Sequence, residues 1–279
     1  MDPGSDLAPG PGQGMQAAVC RDGKPGTVSF ARRMRRGDVL RTDFDRWLST
    51  LHRDDAATIA FFDLDRTLIA GYSVFALAME RMRSRSVSLR RMLSSMGVFV
   101  GYGLGRADYH DLLTTTVRDL AGETEQSLID LGESAFEQRV RDWIYPQART
   151  LVEAHRRAGH PVVIVTSATR YQAEPVARAL DVDALCCTEL EVADGIVTGK
   201  ALPCFGVGKL TAAEHVAHSR QTDLSCAYFY SDSSDDLPLL EAVGRPVVVN
   251  PKTPMARLAR DRGWPCLFLE APGTARSAA

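Results

Sequence analysis

Two aspartates close the apolar run of FFDLDRTLI, residues 61–69: Asp63 and Asp65, with Thr67 just beyond. A carboxylate at the end of a buried strand is costly to desolvate unless it is paired, hydrogen-bonded or bound to a cation. The pattern recurs. VTSATR places Thr166 and Ser167 behind a β-branched run, and YSDSSDD places Asp232, Asp235 and Asp236 behind an aromatic one. Lys209, one of only four lysines in the chain, opens a helical pattern after FGVG. Carboxylates crowded on one edge repel unless a cation joins them, and hard oxygen donors with few other groups suit Mg²⁺. Each piece alone has a blander reading. The D-x-D-x-T run, Asp232 or Asp235 can cap helix starts, as can Thr166 and Ser167, and a lone lysine is usually a surface residue. Four such pieces at successive strand ends are poorly explained by capping alone.

The elements that must position these residues alternate along the chain. ATIAFFD (57–63), PVVIVT (161–166), CAYFYS (226–231), PVVVN (246–250) and CLFL (266–269) are apolar runs of strand length. LVEAHRRAG (151–159), YQAEPVARAL (171–180), KLTAAEHVAHS (209–219) and DDLPLLEAVG (235–244) carry helical periodicity between them. Unbroken apolar strands alternating with helices predict a parallel sheet buried on both faces, with ligands at the carboxyl ends of its strands. The expected fold is α/β, a Rossmann-like doubly wound parallel sheet. Residues 72–157 interrupt the alternation with helical patterns only, and read as an inserted all-helical cap. The core is then 55–71 and 158–272. Residues 1–50 are expected to form a disordered and arginine-rich extension, and 273–279 a disordered tail.

Composition narrows the function classes. The 279 residues are 45% hydrophobic and 24% charged, with a net charge of −2 that gives no bulk attraction to nucleic acid or membranes. Five arginines lie within 31–41 (Arg32, Arg33, Arg35, Arg36 and Arg41), and a solvated helical approach to the domain is favoured over a nucleic-acid arm. The apolar stretch 92–105 is too short and glycine-rich to span a bilayer, which takes about 20 residues. Six cysteines show no C-x-x-C pair, and no segment has the order of a signal peptide. Reduced thiols in the cytoplasm are the simplest expectation.

The order DLDRT, VTSA, Lys209, YSDSSDD resembles the haloacid dehalogenase-like superfamily of phosphohydrolases over about residues 55–270. The helical insertion, HRRAGHPVVIVTSATRYQAEPVA and LCCTELEVADGIVTGK resemble its phosphoserine-phosphatase-like branch, subfamily IB, whose cap is of the C1 type. The resemblance implies that Asp63 is the nucleophile that takes the phosphoryl group as an aspartyl-phosphate, and Asp65 the general acid and base. It also implies a Mg²⁺ site made by Asp63, Asp232 and the backbone carbonyl of Asp65, with Asp236 supporting the ion through water. Thr166 and Lys209 would hold the transferring oxygens, with Ser167 beside them. For Asp65 to turn back to the leaving group, the chain is expected to leave the strand at about Leu64.

Two departures bear on the substrate. Arg66 stands where the family commonly has Gly, Ser or Asn, close enough to the site to meet substrate or cap. Tyr72 stands where phosphoserine phosphatases carry the glutamate that binds the substrate ammonium, unless Glu80 takes that part. The expected activity is Mg²⁺-dependent hydrolysis of a small phosphorylated metabolite. An unidentified ester ranks ahead of amino-alcohol phosphates such as histidinol phosphate, and these ahead of phosphoserine. The alternatives are a phosphotransferase using the same aspartyl-phosphate and a non-catalytic regulatory module on the same fold. A phosphonatase would need a cap lysine, and 72–157 contains none.

Overall fold

The computed structural model describes residues 42–51, 57–84 and 109–272. The five arginines of 31–41, the apolar stretch 92–105 and the expected tail 273–279 lie outside these residues. Of the extension expected to be disordered over 1–50, residues 42–50 are ordered instead: Phe44–Ser49 form a helix whose Trp47 packs on the core. In chain order the elements are α1 (Phe44–Ser49), β1 (Ala60–Phe62), α2 (Ser73–Arg83), α3 (Tyr109–Leu120), α4 (Glu125–Ala135), a π-helical turn (Phe136–Val140), a helical turn (Arg141–Trp143) and α5 (Pro146–Arg157). There follow β2 (Val162–Thr169), α6 (Arg170–Leu180), β3 (Ala184–Ala193), β4 (Ile196–Leu202), α7 (Val207–Ser219), β5 (Tyr228–Ser231), α8 (Leu237–Ala242), β6 (Arg245–Val249), α9 (Thr253–Arg262) and β7 (Cys266–Leu267).

Seven strands form one sheet in the order β4-β3-β2-β1-β5-β6-β7, parallel throughout except for the β3–β4 hairpin at one edge. Alternate residues of each strand feed opposite cores. Phe62, Ile164 and Tyr230 join α5 and α6 on one face, with Trp47 of α1 packed on them. Phe61, Val163 and Phe229 join Ala213 of α7, Leu240 of α8 and Met255 of α9 on the other. Burial on both faces is why the strands read as unbroken apolar runs. Helices change face between the β1-β2-β3 half and the β5-β6-β7 half, so the reversal of winding falls between β1 and β5. Open α/β sheets bind ligands beyond the strand ends at such a point.

One polar group is built into the core beneath it. Trp47 Nε1 donates to the Tyr230 hydroxyl at 3.1 Å, and that hydroxyl meets His155 Nε2 at 2.7 Å. With Nε2 accepting, His155 Nδ1 carries the proton and lies 2.9 Å from Nδ1 of His160. Burial holds the His155 imidazole well below its ordinary pKa, so it is neutral.

The helical insertion needs one adjustment. Residues 146–157, expected in the cap, form α5, whose Ala148, Leu151 and Val152 pack into the same core as Val162 and Ile164. Periodicity shows that a helix has an apolar stripe, not which layer covers it. A second difference is the β3–β4 hairpin, of which β4 was not foreseen. Its alternating exposure and Gly199 leave no apolar run. The hairpin tip is bonded to the turn between α3 and α4: Gly122 donates to the Val197 carbonyl at 2.9 Å, Val197 to Glu123 at 2.9 Å, and Glu125 to Gly195 at 2.8 Å.

Candidate active site

β1 ends at Phe62 and Asp63 follows, its amide still donating to the Tyr230 carbonyl at 2.9 Å. The chain then coils tightly, with the Leu64 carbonyl accepting from the amides of Thr67, Leu68 and Ile69. The strand is left where expected. Asp65 turns to α2, where its Oδ1 accepts the Ser73 amide at 2.7 Å and its Oδ2 the Ser73 hydroxyl at 3.3 Å. Asp65 thus anchors Ser73, the first residue of α2, while standing two residues from Asp63.

Lys209 reaches the same place from α7. Gly206, at φ 52° and ψ −116°, makes the turn before the helix in a conformation that strongly favours glycine. A cation in the first turn opposes the helix dipole, and two carboxylates outweigh that. Lys209 Nζ lies 2.7 Å from Asp63 Oδ1 and 2.8 Å from Asp236 Oδ1, all three side chains being almost fully buried. The Ser231 hydroxyl donates to Asp236 Oδ2 at 2.6 Å. Burial pushes the Asp63 carboxyl well up, with Lys209 drawing it back and Asp236 and Asp232 pushing it further. Lys209 is desolvated too, but its two carboxylates hold it well above the usual lysine range, so it stays charged. Burial raises Asp65 to about 6, against the lowering effect of Ser73.

On the β5 side, Asp232 is raised by burial and countered by Arg66, whose Nε lies 2.7 Å from Asp232 Oδ2. Arg66 has φ 62°, the left-handed region, which costs a residue with a Cβ about 1–2 kcal/mol. Its ion pair and a 3.3 Å bond from Nη2 to the Asn250 carbonyl offset that strain. The Arg66 guanidinium carbon lies 5.9 Å from the centre of the Tyr72 ring, and Tyr72 meets Phe75 edge-on at 5.7 Å. Both rings are exposed. Glu80 does not face this wall. Its carboxylate is buried, held by Arg83 at 2.6 Å and the Ser134 hydroxyl at 2.6 Å, so it is not the substitute for an ammonium-binding glutamate.

Thr166 and Ser167 sit in an irregularity of β2. Val165 pairs with Cys186 and Thr169 with Thr188, so residues 166–168 face Cys187 alone. Thr166 is buried, and its Oγ1 accepts the Ala168 amide at 3.1 Å, leaving its hydroxyl hydrogen to donate elsewhere. The helix after this bulge starts from a capping box between Thr169 and Gln172 rather than from Thr166 or Ser167. Asp232 and Asp235 are likewise not caps, since Ser233 Oγ takes the Asp235 amide at 3.2 Å. Cys186 and Cys187 are free, with burial raising both thiols, which keeps them protonated and unreactive.

Of the four expected metal residues, Asp65 is turned to Ser73 and Asp236 to Lys209 and Ser231. Among the described residues no three His, Cys, Asp or Glu side chains form a ready metal cluster. The set left is Asp63 and Asp232, buried all-oxygen donors, with the Asp232 charge among those that raise Asp63, which fits a hard divalent cation with further oxygens from backbone or water. Sequence reasoning missed Ser73, Ser231 and Thr188. Ser231 lies within YSDSSDD, but nothing in that run marks its hydroxyl as the partner of Asp236, and Thr188 lies inside β3, outside every strand-end motif. A groove of about 490 Å³ along α6 and β3, lined by Arg170, Arg178 and Glu189 among others, holds none of the expected site residues.

A parallel sheet with a carboxylate pair at the end of its central strand, a buried lysine and a third strand-end aspartate defines a phosphoryl-transfer type of site. The model of the haloacid dehalogenase-like hydrolases matches residues 60–241, and the chain belongs to that family. It is 34% identical over 225 residues to a probable phosphatase of Mycobacterium tuberculosis, covering 79% of this chain and 78% of that protein. A phosphoserine phosphatase of the same organism is 31% identical over 216 residues (75% and 70%), and a histidinol-phosphatase of Neisseria meningitidis serogroup C is 30% identical over 216 residues (75% and 97%). A crystal structure of a Bordetella pertussis protein of unknown function superposes with a TM-score of 0.69 at 30% identity, over 77% of this chain and 98% of that one. Among the described residues no helix is long and apolar enough to cross a membrane.

Proposed function

We propose that the chain is a phosphatase that hydrolyses a small phosphomonoester through an aspartyl-phosphate on Asp63. The observation that carries this reading is the buried contact of Lys209 with both Asp63 and Asp236, beside a second carboxyl, Asp65, raised to about 6. Lys209 holds Asp63 Oδ1, so Oδ2 is the oxygen that attacks phosphorus. As the P–O bond to the alcohol breaks, the Asp65 carboxyl gives its proton to the leaving oxygen. Water then attacks the same phosphorus, Asp65 takes one of its protons, and the bond from Asp63 to phosphorus breaks to release phosphate. Thr166 and Lys209 hold the transferring oxygens, with Ser167 next to them.

The metal in this reading is Mg²⁺, which the carboxylates of Asp63 and Asp232 would hold, with the Asp65 carbonyl and Asp236 as supporting oxygen donors. When bound it neutralises charge that would otherwise repel a phosphate dianion from Asp63. The leaving group meets Arg66 and Tyr72 instead of a carboxylate. An alcohol with a ring or an apolar body suits that wall better than the free ammonium of phosphoserine. The relatives' names span both phosphoserine phosphatase and histidinol-phosphatase.

The decisive experiment compares the wild-type chain with Asp63→Asn on p-nitrophenyl phosphate and a panel of phosphorylated metabolites, with Mg²⁺. Phosphate release by the wild type and a loss of roughly 1000-fold or more in the variant is expected. Equal inactivity of both across the panel defeats the enzyme reading.

A further inference from the structure

Thr188 lies on β3, is fully buried, and belongs to no strand-end motif. Its hydroxyl makes two bonds that join separate parts of the site. Oγ1 donates to the Ser167 carbonyl at 2.9 Å and accepts the Cys204 amide at 3.1 Å. The first partner lies inside the bulge of β2, where three residues face one and the regular ladder is interrupted. The second heads the short segment 204–209 that ends at Lys209, itself closed by bonds from Gly208 to the Phe205 carbonyl at 2.7 Å and from Lys209 to Gly206 at 3.2 Å. A hydroxyl is one of the few side-chain groups that can donate and accept at a single atom. Valine has the same shape and can do neither. In a buried site a backbone carbonyl and amide left without such a partner must shift to find others.

We propose that Thr188 is a positioning residue for phosphoryl transfer: its hydroxyl locks the Thr166–Ser167 bulge to the Lys209 loop, and so sets the spacing of the groups that hold the transferring oxygens. Thr188 acts here through the Ser167 carbonyl and the Cys204 amide, and the inference rests on the phosphatase reading above. The two groups it spaces arrive from separate elements, Thr166 and Ser167 from β2 and Lys209 from α7. Errors of about 1 Å in such spacing are known to cost a hundredfold in rate.

The test uses the full chain with Mg²⁺ and p-nitrophenyl phosphate. Thr188→Val is expected to lower kcat by about 10- to 100-fold while KM moves by less than about threefold. Thr188→Ser keeps the hydroxyl and is expected to stay within about threefold of wild type in both constants. If the valine chain does not fold, Thr188→Cys takes its place, since it keeps the volume with only a weak S–H donor. Full kcat in a valine chain that merely melts at a lower temperature overturns the proposal, as does a serine chain as slow as the valine chain. A wild-type chain with no turnover at all removes the phosphatase reading and this inference with it, which separates the two failures.

Discussion

Asp65 accepts two hydrogen bonds from Ser73 and is nonetheless raised to about 6, because the cost of burying its charge exceeds what those bonds return. The shift has a sign that unfolding can read. In the unfolded chain this carboxyl titrates near its ordinary value of 3.8, whereas in the folded chain it keeps its proton up to about 6. Between those values the folded state binds the extra proton, so the contribution of Asp65 to stability is present below about pH 4 and is lost as the pH rises toward 6. A shift of this size corresponds to up to about 3 kcal/mol. In chelator-treated buffer, the stability difference between wild type and Asp65→Asn should therefore move against the wild type from pH 4 to pH 6. Urea unfolding at both ends of the window measures it, and parallel curves for the two chains would show that Asp65 is not raised. The aspartates themselves were legible from their spacing behind apolar runs. Their partners were not: Ser73 is one serine among many, and its role follows from a turn at Leu64 that brings residues eight apart together.

At the scale of elements, the contact between α4 and α6 depends on a glycine. Pro175 lies inside α6 and has no amide to give the Tyr171 carbonyl four residues back. Gly132 of α4 covers that carbonyl so closely that a Cβ on it would lie 2.0 Å from the Tyr171 oxygen. Gly132→Ala must therefore push the two helices apart, although alanine is the better helix former. A loss of about 1–3 kcal/mol is expected, the usual cost of overpacking. Thermal unfolding checks it, and an unchanged or raised Tm would mean that α4 is free to move off α6. Such contacts explain which elements could be read in advance. Strands β1, β2, β5, β6 and β7 were legible because burial on both faces leaves an unbroken apolar run. β4 was not, because one side of it faces solvent and its tip is completed by the α3–α4 turn, a pairing that depends on residues some seventy positions away. The assignment of α5 to the cap failed for the same reason: its apolar stripe is visible in sequence, but the sheet that covers it is not.

Over the whole molecule, the carboxyl edge of the sheet gathers Asp63, Asp65, Asp232 and Asp236 against Lys209 and Arg66. Folding brings these carboxylates together from β1 and β5, strands whose sequence separation keeps them apart in the unfolded chain. The repulsion among them is thus a cost of the folded state alone, and burial enlarges it, as the upward shifts of Asp63 and Asp232 show. Whatever cation binds between Asp63 and Asp232 relieves that cost only in the folded chain, so it must raise stability by mass action. At a free Mg²⁺ concentration 100 times the dissociation constant the gain is about 2.7 kcal/mol. For a chain of this length that is a rise in Tm of roughly 5–10 °C. Calcium shares the oxygen preference but tolerates a looser geometry, so a rise with either ion alone identifies a hard-cation site and the comparison of the two tells how tightly it is shaped. Asp232→Asn removes one of the two donors and should abolish most of the rise, while Glu241→Gln, far along the exposed end of α8, should leave it intact. If the Tm of the wild-type chain does not move with Mg²⁺, or moves equally in Asp232→Asn, the carboxylates at the ends of β1 and β5 are not a cation site, and Lys209 and Arg66 alone balance the edge.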